Sequence, residues 1–311
     1  MSVTATSAFI GTNVSNILAL LVLGAESIQK GLLHTIPNKY DKIYLPRLVT
    51  DADQIQDRTA TPTTSADSSY DERVIDPKDM QFYLEWNPAT FEHVWADFWP
   101  RGSMVDQVTD PKIAAAVVNT VRGSINTQLD KLIYQGDVDA GAANPLRFFD
   151  GFLKTMTADT DVIKVPISAP IDANNIKEVL DDMITAMPAA VRVNKRPKFI
   201  MSHNSFDAFE QYTTALDFKG NNVYVGTQLR YRGYDVVPVG GMTDTDIIFA
   251  VADLSVNSNL FAGTWMTNDP NNFKIQRLQN NSELWFLLAK FRYGVQYGFG
   301  QEIVLANYTA P

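Results

Sequence analysis

Between Asp110 and Gly136 the chain carries one unbroken helical pattern, "PKIAAAVVNTVRGSINTQLDKLIYQ". Asp110 suits an N-cap, Pro111 suits a first helical position whose amide needs no partner, and Gly136 supplies the stop. About 25 residues at about 1.5 Å each give a rod of about 37 Å, well beyond the usual helix of a globular domain. Val117, Val121, Leu129, Leu132 and Ile133 form one apolar stripe, with Ile113 and Ile125 at its margin. Asn119, Arg122, Asn126 and Asp130 occupy the other side. A rod apolar on one side only lies across a surface, so the fold must provide an extended surface for it.

The segments before the rod are just as one-sided. Residues 13–33 read as a helix broken near Gly24 and ending at Gly31, and they include the aliphatic run Ile17–Leu23. That run falls short of the roughly 20 residues a bilayer crossing needs, and no charge precedes Glu26, so neither a membrane span nor a signal peptide is expected. Ile17, Leu20 and Leu21 must therefore find protein to cover them. "DKIYLPRLV" reads as an edge strand, because Pro46 cannot donate to a ladder on both sides. From Thr50 to Arg73 only Ile55 and Tyr70 are large and apolar, so this stretch is expected to project as a loop until "MQFYLEW" resumes an extended pattern. "NPATFEHVWADFW" follows as a short helix capped by Asn87.

Beyond Gly151 strands and helices alternate. "DVIKVPIS", "PKFIMS", "YDVVPVG" and "DIIFAVA" read as strands, and "DANNIKEVLDDMITAM" as an amphipathic helix. "HNSFDAFEQYTTAL" reads as a second helix, capped by Asn204 or Ser205. Residues 159–263 thus form an α+β unit. "NFKIQRLQ" then turns at Asn280–Ser282 into a long strand of period two running through Ala289–Phe299.

No pattern points to catalysis or to a cofactor. Cys is absent, which excludes disulfides, thiolate nucleophiles and Cys-ligated metals. His34, His93 and His203 stand in three separate segments with no metal-ligand spacing. Asp137, Asp139 and Gly141 resemble half a calcium loop, but Phe148 stands where a bidentate Glu is required. Asp181 and Asp182 are helix neighbours that do not face one another. Arg230, Tyr231 and Arg232 could stack on a base, yet a net charge of -9 argues against broad phosphate binding. Charged residues make up only 20 % of the chain, consistent with surface buried against something else.

The order of elements, with the phrases "LIYQGD…NPLRFFDGFL" and "PKFIMS", resembles the major capsid proteins of tailed bacteriophages, an α+β fold also named for a Hong Kong phage. The resemblance implies an N-terminal arm at 1–48 and an extended loop hairpin at 49–86. It implies a peripheral domain at 87–158 with its spine helix at 111–135, an axial domain at 159–263, and C-terminal strands at 264–311 returning to the peripheral domain. It implies a non-enzymatic shell protein, without cofactor or metal, that assembles with itself into pentamers and hexamers around double-stranded DNA. A separate scaffolding protein and a portal would be partners, with assembly in the host cytoplasm and a final place in the virion. The contact residues expected from position are Ile17, Leu20, Leu21, Arg58, Glu72 and Arg73. The excursion has no lysine before Lys78, so the inter-subunit cross-link of some relatives is not expected. An encapsulin-like nanocompartment shell, a cytosolic α+β enzyme and a tail or adhesion protein are the alternatives.

Overall fold

The computed structural model describes residues 26–37, 41–50, 58, 60–61, 68–87, 111–215, 224–225, 228–265, 273–279 and 284–308. In chain order the elements are α1 (Glu26–Gln29), β1 (His34–Ile36), β2 (Ile43–Thr50), β3 (Ser68–Ile75), β4 (Lys78–Trp86), α2 (Pro111–Gln135) and α3 (Phe152–Ala158). Then come β5 (Ile163–Ile167), α4 (Ile176–Ala186), α5 (Ala189–Lys195), β6 (Lys198–Met201), α6 (His203–Ala215), β7 (Tyr224–Val225) and β8 (Gln228–Tyr231). The chain closes with β9 (Tyr234–Pro238), β10 (Asp246–Ala250), β11 (Leu260–Trp265), β12 (Phe273–Arg277), β13 (Trp285–Tyr297) and β14 (Ile303–Tyr308).

A seven-stranded mixed sheet has the order β5-β14-β10-β6-β9-β8-β7. Its parallel pair β6–β9 needs a crossover, which α6 begins. The central strands are apolar on both faces. Ile248, Ala250, Ile200, Ile303 and Leu305 point to a core shared with α2 and α3. Their alternates Ile247, Phe249, Phe199, Met201, Val304 and Ala306 point to a second core under α4 and α6. Period-two alternation therefore selects the layer and not solvent, which is why these strands read as continuous apolar runs.

The second sheet is organised by β13, whose 13 residues are too many for one partner. One flank pairs with β4, Trp285↔Trp86 through Tyr293↔Lys78. The other flank is shared end to end by β12 and β11, and β1 adds in parallel to β11. The predicted rod is present over the expected residues, Pro111–Gln135. Its described apolar side chains, Ile125, Leu129, Leu132 and Ile133, enter the core where the two sheets meet. Gly136 ends it by space and not by a left-handed turn: a Cβ there would lie 2.3 Å from the Phe149 carbonyl oxygen. Gly151 returns at the same place and donates its amide to Gly136 O at 2.8 Å.

Four expectations are corrected. Asp130, placed on the solvent side of the rod, is 2 % exposed. The strand 43–50 pairs with Ser68–Ile75, inside the supposed polar excursion, while 78–86 belongs to β13. Charged side chains on a two-stranded ribbon can face water or pair across it, so a polar stretch is no bar to a strand there. The 264–311 segment does not return as one piece: β14 lies inside the seven-stranded sheet between β5 and β10, and β11 leaves that unit for the other sheet. The cap of α6 is Ser202, whose Oγ accepts the Ser205 amide at 3.1 Å, because the helix starts at His203, two or three residues earlier than a cap at Asn204 or Ser205 requires. Of the predicted helix at 13–33 the described part is Glu26–Gln29, and the 88–110 segment also lies outside the described residues.

Candidate intersubunit surfaces

The register of β2 and β3 sorts their side chains onto two unlike faces. Ile43↔Ile75, Leu45↔Arg73 and Arg47↔Asp71 share one face, while Tyr44↔Val74, Pro46↔Glu72 and Leu48↔Tyr70 share the other. On the first, Ile43 and Ile75 are buried, and their side chains reach the backbone of Gly263 in β11. On the second, Tyr44, Leu48 and Tyr70 are 55 %, 65 % and 69 % exposed. Covering a side chain of this size is worth about 1.5–3 kcal/mol, so the bare ladder is a substantial reserve of contact energy.

The seat of the ribbon is polar as well as apolar. The Arg73 guanidinium pairs with Asp159 and stacks 4.2 Å from the centre of the Tyr297 ring. Tyr297 donates its hydroxyl to Asp159 Oδ2 at 2.6 Å. Partial burial works against the Asp159 charge, but the bonds from Tyr297 and Arg73 outweigh it and hold the carboxyl at about 2. Burial, then the bond to Asp159, raises the Tyr297 hydroxyl above its ordinary value. Arg47 pairs with Asp71 across the ribbon and donates to Gly298 O at 3.3 Å. The direction in which the ribbon leaves the body is thus fixed by β13, by the loop before β5 and by β3 itself.

A second seat holds the root of the N-terminal segment. Gly31, at φ +66, closes α1 with the Leu32 amide on Ser27 O at 3.0 Å and its own amide on Ile28 O at 3.1 Å, the paired bonds of a left-handed C-terminal cap. Leu32 and Leu33 then enter the core fully buried. Ser27 donates to Asp130 Oδ1 through its amide at 3.1 Å and its hydroxyl at 2.6 Å, and Gly241 donates to Asp130 Oδ2 at 3.0 Å. Burial raises the Asp130 carboxyl despite these donors. Glu26 accepts the Gly240 amide at 2.8 Å and faces His203 and Lys30, while Lys30 donates to Pro238 O at 2.6 Å.

Of the residues expected at contacts, Ile17, Leu20 and Leu21 lie outside the described residues. Arg58 is exposed, and Glu72 is exposed on the bare face of the ribbon. Arg73 turns inward to the seat. Tyr44, Leu48 and Tyr70 were missed, although their alternation with Arg47, Asp71 and Arg73 is readable once β2 and β3 are set in register. The other candidates are dispersed or already satisfied. His34 bonds Leu254 O at 2.7 Å, His203 meets Glu26 at 3.2 Å, and His93 is outside the described residues. Among the described residues no group of three or more His, Cys, Asp or Glu is placed to hold a metal. Asp137 and Asp139 are held with Asp150 by the Lys154 ammonium, at 2.5, 2.6 and 2.9 Å. Asp181 accepts the Tyr231 hydroxyl at 2.5 Å and the Arg232 guanidinium at 3.1 Å, which joins two separate candidates into one strut on the seven-stranded sheet.

No family model matches the chain, and no curated protein matches it. Solved structures do. The capsid of an empty GTA particle aligns with a TM-score of 0.60 at 16 % identity, over 91 % of this chain and 90 % of that one. The satellite phage P4 procapsid aligns with a TM-score of 0.60 at 11 % identity, over 99 % and 94 %. The holo-SrpI encapsulin complex from Synechococcus elongatus aligns with a TM-score of 0.54 at 14 % identity, over 92 % and 91 %. The chain has the fold of phage capsid subunits, one that an encapsulin shares.

Proposed function

We propose that this protein is the major capsid protein of a tailed phage, a subunit that closes with its copies into an icosahedral shell around double-stranded DNA and performs no catalysis. The observation that carries the reading is the ribbon: a firmly seated element whose outward face presents Tyr44, Leu48 and Tyr70 to solvent. A monomer gains nothing from rigidly displaying apolar area, whereas a lattice repeats the same contact in every copy. In the resulting division of labour the five-stranded sheet with α2 is the peripheral part. The seven-stranded sheet is the axial part, packed around five-fold and six-fold centres. The β2–β3 ribbon is the extended loop lying over a neighbour, and the segment rooted at α1 is the N-terminal arm. A net charge of -9 suits a wall that must not grip packaged DNA. A scaffolding protein and a portal are the partners this role requires, with assembly in the host cytoplasm and a final place in the virion.

The test is expression of the full chain alongside a Leu48→Asp/Tyr70→Asp variant, followed by negative-stain imaging and light scattering. Spherical particles are expected from the wild type. The variant should remain folded by circular dichroism while its particles fall by about tenfold or more. A compact wild-type monomer at every concentration, with or without phage partners, would sink the proposal. Recovery of a cargo enzyme in place of DNA would assign the encapsulin-like role that the SrpI alignment keeps open.

A further inference from the structure

From Met183 to Phe206 the chain has no acidic residue, yet it holds Arg192, Lys195, Arg196 and Lys198 between the last turn of α5 and the first residue of β6, in a protein of net charge -9. Lys195 is engaged by Glu302 at 2.5 Å, but among the described residues Arg196 and Lys198 have no polar side-chain partner. Arg196 sits at φ 47, a left-handed position that glycine occupies at less cost, so a long cationic side chain is kept where the backbone disfavours it. Beside it Val193 is 78 % exposed. The patch is therefore a cationic knob with an exposed apolar residue beside it.

Its complement is on the same molecule. The outer face of α6 carries Asp207 and Glu210 one helical turn apart, over an open groove completed by Gln211, Thr214 and Ala215. Neither carboxylate has a cationic partner among the described residues. The two patches do not meet within one copy. The knob stands at the junction of α5 and β6, with Lys195 on Glu302 just before β14, while Asp207 and Glu210 lie on α6, which leaves the opposite end of β6.

We infer that the α5 knob of one copy docks on the Asp207–Glu210 face of α6 in the next copy, a head-to-tail contact that closes a ring through the seven-stranded sheets. The inference rests on the shell reading and adds to it which surfaces meet. Unlike patches on two flanks of one domain make a heterologous contact, and repetition of a heterologous contact gives a ring when the rotation closes. Double-stranded DNA is the weaker partner for the knob. Four cations on an acidic body, one of them already engaged by Glu302, offer few phosphate contacts, and the exposed Val193 beside them gains nothing from a phosphate backbone.

A charge swap on the full chain decides it. Arg196→Glu/Lys198→Glu and Asp207→Lys/Glu210→Lys should each lower the yield of assembled particles by about tenfold, since like charges then face one another. The fourfold variant carrying both exchanges should return to within about threefold of wild type, while circular dichroism stays unchanged throughout. Arg196→Gln/Lys198→Gln, which removes charge without reversing it, covers the case of a reversal that fails to fold, and it should lower the yield less than the reversal does. Particles unaffected by either double variant would overturn this contact and leave the shell reading standing. So would a fourfold variant as impaired as its parents. Wild-type binding to double-stranded DNA in a filter assay, lost in Arg196→Glu/Lys198→Glu with assembly intact, would overturn it in favour of a polyanion site. A wild type that never assembles would remove the shell reading and this contact together.

Discussion

Asp130 accepts three hydrogen bonds, two from Ser27 and one from Gly241, on a carboxyl that is almost wholly buried. Both oxygens are used, so an amide of the same shape cannot replace it. Asp130→Asn would keep an acceptor for Ser27 but turn an N–H₂ toward the Gly241 amide. It should cost about 1–3 kcal/mol in chemical denaturation, the penalty of a buried donor left without an acceptor. The wild type should also show a pH signature that the variant lacks. The folded carboxyl is raised by burial above the ordinary 3.8, so the folded state holds the proton more tightly. Stability from this group therefore rises as pH falls through the raised folded value, and the gain is complete near the unfolded one. Asp159 behaves in the opposite sense. Its folded carboxyl lies at about 2, so the stability it contributes is full above about 3.8 and is lost as pH falls toward 2. Tyr297→Phe removes the hydroxyl donor, leaving Arg73 and the Asp161 amide on the carboxylate, and shifts that loss upward. At pH 3 pepsin should then cut the β2–β3 region about fivefold faster than in the wild type, on a bond worth about 1 kcal/mol. Equal cleavage would show that Arg73 alone holds the seat.

At the scale of elements, the long helix is the least ambiguous feature and also contains an avoidable weakness. Gly123 is exposed, and a Cβ placed on it meets nothing within 4 Å. Gly123→Ala should therefore stabilise α2 by about 1 kcal/mol, read as a higher denaturation midpoint with an unchanged slope. The helix, four of the seven strands of the larger sheet (β5, β6, β9 and β10) and the β12–β13 hairpin were legible from their periods or their apolar runs, while β7, β8 and β14 were not. Asp130 was not, since its position on the rod is polar by every local criterion and its burial comes from Ser27 and Gly241, more than 100 residues away in either direction. The ribbon was half legible. Its projection followed from composition, but its pairing hid behind Asp71, Glu72 and Arg73, of which Asp71 is answered by Arg47 and Arg73 by Asp159 and not by their sequence neighbours. The crossing of β14 into the other sheet was equally hidden: "IVLANY" is apolar enough for either sheet, and only the closed order of seven strands selects one.

At the scale of the whole molecule, on the shell reading the seats matter more than the surfaces they present, because a lattice would need every copy to point its ribbon the same way. The Arg73–Asp159–Tyr297 seat is that constraint, and Arg73→Glu reverses it by setting a carboxylate against Asp159. The body should still fold, since the Ile43 and Ile75 anchors and both cores are untouched and the ladder from Ile43↔Ile75 to Thr50↔Ser68 remains available. The ribbon then keeps its pairing but loses its fixed angle to β13. On the shell reading, the expected result is a chain with wild-type circular dichroism whose assemblies are fewer and uneven in curvature. Sedimentation velocity would show a broad distribution in place of one boundary, and negative stain would show open or irregular sheets. Particles as uniform as wild type would mean that a neighbour, and not the seat, sets the angle of the ribbon. Restoration of uniformity by adding Asp159→Arg to Arg73→Glu would locate the constraint in the ion pair itself.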